Sequence, residues 1–162
     1  MQASLLAGDE TTGVTIQQMV AQLDAGDILA QQEITLAPDT AIPELHNVLA
    51  DLGAQQLVET LKQPLQPTPQ PKDGITICHK LTRANGQVDP ATMTAADIDR
   101  HVRALVPWPG VTCTLEAQTV KLIRTSITPD DQAMTLPCKG NTALFVHELQ
   151  PPGKQMMRAV DW

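Results

Sequence analysis

The spacing of apolar residues changes several times along the chain, and each change predicts an element. MQASLLAG (1–8) reads as the closing turns of a helix with Gly8 as its C-cap. A helix that short holds only when something packs on it. Residues 13–20 and 27–36 are predicted strands, because Val14, Thr15, Ile16, Ile28 and Ile34 are the β-branched residues that suit a pleated, half-buried surface. From Thr40 the period lengthens. Ile42, Leu45, Leu49 and Leu52 recur at helical spacing, and Pro43 is acceptable in a first turn. Gly53 interrupts before Leu57, Val58 and Leu61 resume the stripe, so one long helix or two abutting ones are expected, ending near Gln63.

QPLQPTPQPKDG (63–74) carries four prolines, lacks their backbone donors and favours an extended path, which predicts a semi-rigid linker. After it, GITICHKL (74–81) is strand-like and Asn85-Gly86 signals a turn. TAADIDRHVRAL (94–105) opens on the N-cap candidate Thr94 with Asp97 in the first turn, and sets Ile98, Val102 and Leu105 on one face. VPWPGV ends that helix. VTCTLE, TVKLIRTSI and TALFVHEL then read as strands, and QPPGK as a turn. Residues 74–162 therefore predict a small sheet or barrel module with one helix.

Composition narrows the choices. A chain of 162 residues makes one ordinary domain or two small ones, and 42% hydrophobic residues argue against disorder. Trp108, Trp162 and Phe145 are the whole aromatic complement, so the core is aliphatic and base stacking can carry little nucleic-acid binding. The net charge of −7 is uneven: residues 1–72 hold nine acids against Lys62 and Lys72, whereas residues 73–162 hold nine acids and nine bases. The first stretch repels polyanions, and the second is where phosphate contacts are expected. Cys78, Cys113 and Cys138 are widely spaced with no C-x-x-C pair, which points to free thiols in a reducing, cytoplasmic setting. Cys78-His79 lacks a second ligand pair, so no metal site is expected. No leader pattern or apolar run of about 18 residues is present, and neither secretion nor a membrane partner is expected.

Asp24 and Asp27 flank Gly26 between two predicted strands. By residue type alone this is an Asp-Gly turn. In its wider setting, AGDETTGVTIQQMVAQLDAGDIL resembles the stretch A-G-D-x-x-T-G-V-T-I-M-x-M-x-x-x-L-D-x-G-D of methionyl-tRNA formyltransferases. The similarity continues in family order through LGAQQLVETL, the Pro-Gln linker, RALVPWPGV and ELQPPGK, over essentially the whole chain. It implies an α/β fragment at 1–63, the end of a Rossmann-like catalytic formyltransferase domain. A linker at 64–73 and an OB-like open β-barrel domain with a helix at 74–162 would follow, the latter helping to hold tRNA.

The family moves a formyl group from 10-formyltetrahydrofolate to the amine of initiator methionyl-tRNA, so a folate donor and that tRNA are the implied partners, with no metal. Amine attack on a formyl carbon builds an oxyanion and a cationic nitrogen, and the site must supply a donor and a proton acceptor. Asp24 matches the catalytic aspartate, which in the family orients a histidine and assists proton movement. Leu23 and Gly26 form the folate-site turn beside it, with Gly26 giving the backbone close access to the folate ring. Asp27 is expected to shape the turn.

The family's N-x-H pair and S-L-L-P folate segment match nothing in this sequence, so the chain alone is expected to be inactive. Strands 13–20 and 27–36 are expected to leave an apolar sheet edge open to self-association. The family's I-D-W stands here as Val88-Asp89-Pro90, and its T-Y-A as Thr76-Ile77-Cys78. Lys80, Arg100, Arg103, Lys121 and Arg124 are the candidate tRNA contacts, against the alternative of scattered solubilising charge. Arg100 and Arg103 share a helix face, whereas Lys121 and Arg124 have opposite parity on one strand. Two alternatives stand beside the tRNA enzyme: a non-catalytic RNA- or protein-interaction module, and a formyltransferase acting on another amine.

Overall fold

A computed structural model describes residues 1–162. In chain order it holds α1 (Gln2–Ala7), β1 (Thr11–Gln17), β2 (Ile28–Thr35), α2 (Ile42–Leu61), α3 (Ala95–Ala104), β3 (Val111–Leu115), β4 (Gln118–Ser126), β5 (Met134–Cys138), β6 (Thr142–Gln150) and β7 (Met157–Arg158). Two compact units result, one of Met1 with Asp9–His79 and the other of Gln2–Gly8 with Lys80–Trp162.

In the first unit β1 and β2 pair antiparallel from Thr11↔Thr35 to Gln17↔Ile28, with an irregularity at Ile16/Gln17. α2 covers this hairpin with Ile42, Leu45 and Leu49 buried. The helix runs unbroken through Gly53, where a Cβ would stand 3.3 Å from Val14 Cγ1, so glycine here lets β1 approach the helix. The proline-rich segment does not run free. Thr68 and Ile28 exchange both backbone hydrogen bonds, at 2.8 and 2.9 Å. The strand expected at 74–81 does not form. Ile75 and Ile77 are 71% and 78% exposed and the segment joins no ladder, because β-branched composition makes a strand only where another strand's edge is available.

In the second unit all strand pairs are antiparallel, in the order β3-β4-β6-β5 with β7 on β6, forming a curled half-barrel sheet. α3 begins with a capping box: Asp97 N donates to Thr94 Oγ1 at 3.2 Å and Thr94 N to an Asp97 carboxylate oxygen at 3.3 Å. Ile98, Val102 and Leu105 are buried as expected, within a core of Val111, Val120, Leu122, Leu144, Val146 and Leu149. Full burial of each such side chain is worth ~1.5–3 kcal/mol, which is what holds so short a helix in place. α1 packs on α3 through buried Leu5 and ends at Gly8, whose φ of 76° is the left-handed cap expected there. Two strands escaped the hydrophobic pattern. β5 contains Pro137 and is tolerated because it lies at the sheet's edge, and β7 is only two residues long.

Candidate functional site

The ten residues joining β1 to β2 carry the candidate catalytic group. Gln18 N donates to Asp27 O at 2.9 Å and closes the neck of the connection. Beyond the neck Asp24 adopts φ 54°, a left-handed conformation that Asp tolerates better than most residues. Its carboxylate is exposed, as is Leu23 (91%), with Met19 and Val20 also open to solvent nearby in the loop. Gly26 is buried, and the structure gives a local reason for glycine. A Cβ there would lie 1.6 Å from the carbonyl oxygen of Gln18, so the close approach is to the chain's own backbone. A cleft of about 380 Å³ lined by Leu29, Gln56, Thr60 and Leu65, and another of about 350 Å³ along Thr12–Thr15 and Gln31–Glu33, are not lined by Asp24.

One contributor to the loop had no signature in the sequence. Gln70, between Pro69 and Pro71, places its amide nitrogen 3.0 Å from Asp24 O, 2.6 Å from Gly26 O and 3.3 Å from Gln17 Oε1. Nothing local distinguishes Gln70 from the other glutamines of that segment, so only the folded path reveals it.

The basic candidates separate into groups. Arg103 is committed to the protein: its Nε donates to Asp99 Oδ2 at 2.8 Å, the pair is 18% and 10% exposed, and Thr125 Oγ1 donates to the other carboxylate oxygen at 2.8 Å. Arg100 pairs with Asp97, and its stem lies against Gly8. The Thr94 hydroxyl, followed by Arg100 and His101, holds the Asp97 carboxyl below the usual range. Lys80 is exposed. Lys121 and Arg124 need a correction. The register runs Leu122↔Leu149, Arg124↔Glu148, Thr125↔Val146, so Ile123 is an extra residue on β4 and His147 one on β6. These bulges turn Lys121 and Arg124 to the same face, opposite the parity reading. Arg158 on β7 joins them, because Arg124, Glu148 and Arg158 occupy one register position across three strands. Glu148 lies 3.5 Å from Arg124. Lys121 passes over Gly110, and Trp108 in the same corner is 53% exposed.

Sequence reading also missed a cluster at the β4–β5 connection. His147 Nε2 lies 3.0 Å from Ser126 Oγ, and Nδ1 lies 3.5 Å from Asp130. The Ser126 hydroxyl also lies 3.1 Å from Thr128 O, and together these contacts pin the connection. Burial raises the Cys113 thiol to about 11 and also raises Cys138, whereas Cys78 is exposed. No cluster of three or more His, Cys, Asp or Glu is placed to hold a metal ion, and no helix is long and apolar enough to cross a membrane.

The formyl transferase family matches residues 1–61, and the formyl transferase C-terminal domain matches residues 80–162. The chain belongs to the formyltransferase family. Among named formyltransferases, the methionyl-tRNA formyltransferase of Paramagnetospirillum magneticum is 42% identical over 98% of this chain and 56% of its own length. That of Gluconobacter oxydans is 35% identical over 100% and 56%. The chain thus spans about half the length of the curated relatives it matches. Among solved structures, an Aquifex aeolicus HypX variant superposes with a TM-score of 0.75 at 16% identity, covering 99% of this chain and 32% of that one. HypX has also been solved in complex with tetrahydrofolic acid, matching at a TM-score of 0.72 and 16% identity over 99% of this chain and 31% of that one. Methionyl-tRNA formyltransferase from Clostridium thermocellum gives 0.65 at 17% identity, over 78% and 56%. These structural likenesses speak to the fold.

Proposed function

We propose that residues 1–162 carry part of a methionyl-tRNA formyltransferase acting in the cytoplasm: the end of a Rossmann-like catalytic domain at 1–63, a proline-rich connection at 64–73, and an OB-like tRNA-binding domain at 74–162. The 42% identity to a named methionyl-tRNA formyltransferase over 98% of the chain is the observation that carries this function. The chain's residues fit one wall of a folate site. Met19, Val20 and Leu23 offer exposed apolar surface for one side of a flat ring, and Asp24 stands among them with its carboxylate free to solvent. Bound there, 10-formyltetrahydrofolate would supply the formyl group. Asp24 would hold and accept a proton beside the reacting amine. The Lys121, Arg124 and Arg158 face would meet phosphates of the initiator tRNA.

The oxyanion side of the reaction requires an Asn-x-His segment and a folate segment that residues 1–162 do not contain. The test is formylation of charged initiator tRNA with 10-formyltetrahydrofolate, read as formyl-methionine formed. Residues 1–162 alone should give no turnover. Supplying a formyltransferase segment that bears Asn-x-His and S-L-L-P should restore it, and Asp24→Asn should abolish the restored activity. Full activity of Asp24→Asn, or formylation of an amino sugar in place of the tRNA, would refute the assignment.

A further inference from the structure

We propose that Gln70 is a positioning residue for Asp24, and that the proline-rich segment is thereby part of the catalytic turn. The inference rests on the catalytic role proposed for Asp24. All three groups around the Gln70 amide nitrogen are oxygens, Asp24 O at 3.0 Å, Gly26 O at 2.6 Å and Gln17 Oε1 at 3.3 Å. That environment admits only the donating end of the amide, which fixes its orientation. Asp24 O and Gly26 O converge on one donor because Asp24 has turned to φ 54°. The amide therefore closes around the one backbone conformation that aims the Asp24 side chain.

The donor is itself held from both sides. Pro69 and Pro71 restrict the backbone around Gln70, and Thr68 two residues earlier is ladder-bonded to Ile28 at the start of β2. Gly26 completes the arrangement, since any side chain there would push the turn off Gln18 and carry its carbonyl away from Gln70. Displacing residues 68–71 from the hairpin would release Asp24 from its clasp without touching its side chain. The path of the proline-rich segment thus sets the order of the catalytic turn.

Gln70→Ala removes the donor, Gln70→Glu keeps the shape while losing it, and Gln70→Lys keeps N–H donors at similar reach. Amide-exchange protection of Gln18, whose N–H closes the neck of the loop on Asp27 O, should fall about tenfold in the first two variants and stay near wild type in the third. Protection across 42–61 and 80–162 should not change. In Gln70→Glu, protection of Gln18 should return as pH falls through the carboxyl range near ~4.3, where the protonated acid donates again. In the complemented formylation assay Gln70→Ala should lower kcat about tenfold at unchanged KM for the tRNA. Unchanged exchange in Gln70→Ala and Gln70→Glu overturns the clasp. Faster exchange at unchanged kcat overturns the positioning role. A fully active Asp24→Asn removes the catalytic premise, and the exchange data still decide by themselves whether Gln70 holds the turn.

Discussion

Replacing Arg103 separates a structural cation from an RNA contact. In the fold its guanidinium satisfies one oxygen of Asp99 and Thr125 satisfies the other, at 2.8 Å each, with Asp99 7% exposed as a residue. Arg103→Met keeps much of the stem packing and leaves the carboxylate with one neutral donor. Removing one partner of a fully buried pair costs about 3–5 kcal/mol; with Arg103 18% exposed, water compensates in part, and we expect ~2–3 kcal/mol. For a unit of this size each kcal/mol shifts the midpoint by ~4–8 °C, so the second unit should melt about 8–24 °C lower. Both tryptophans, Trp108 and Trp162, belong to that unit, so their fluorescence during urea or thermal unfolding reports on it alone. Adding Asp99→Leu should recover about 2 kcal/mol of the loss, because no buried charge then lacks a partner. At temperatures where the variant is folded, tRNA affinity should match wild type. An Arg103→Met protein as stable as wild type within about 0.5 kcal/mol that loses RNA affinity would refute this account.

Gly26→Ala must open either the 2.9 Å Gln18–Asp27 bond or the 2.6 Å Gln70 contact, at ~1–3 kcal/mol local to the loop, and should make 18–27 the first site of limited proteolysis; wild-type resistance would contradict the geometry. Cys113 sits near 11 in the fold against an ordinary 9.0, so the stability it favours is complete below pH 9 and falls as pH rises through about 11. Alkylation at pH 8 should therefore label exposed Cys78 first and Cys113 only on unfolding, and early Cys113 labelling would oppose its burial. Glu148→Gln should tighten RNA binding by ~2–5-fold by removing the acid that lies between Arg124 and Arg158 in the register, and Arg124→Ala should flatten the logarithmic salt dependence by ~0.9; equal effects from an acid far from this face would show that the face has no special part.

Elements whose cause is local were legible in the sequence. α3 announced itself by Thr94, Asp97 and the Ile98, Val102, Leu105 stripe, because capping and helical periodicity lie within one turn of their effect. The Asp24 turn was visible because its residue types and spacing are contiguous. Features set by a distant partner were not. Ile75–Ile77 has strand composition without an edge to join, and β5 has an edge but a proline in its pattern. Gln70 gains its role from chain lying more than forty residues earlier. The parity of Arg124 was misread for the same reason, since a bulge is visible only against the neighbouring strand.

That bulge makes spacing matter more than side-chain identity at one point of the sheet. Between the inward pairs Leu122↔Leu149 and Thr125↔Val146 each strand takes three steps where strict alternation allows two or four, so both strands change phase together and register survives. The same phase change delivers Thr125 to Asp99 and Arg124 to solvent. Ile123 can accept another side chain of similar shape, and its deletion would leave two steps between Leu122 and Thr125, so Arg124 would stay outward and Thr125 would still face α3. The sheet's outward charge and its grip on the helix are thus set together by where the extra residues fall in the register, and neither can drift without the other.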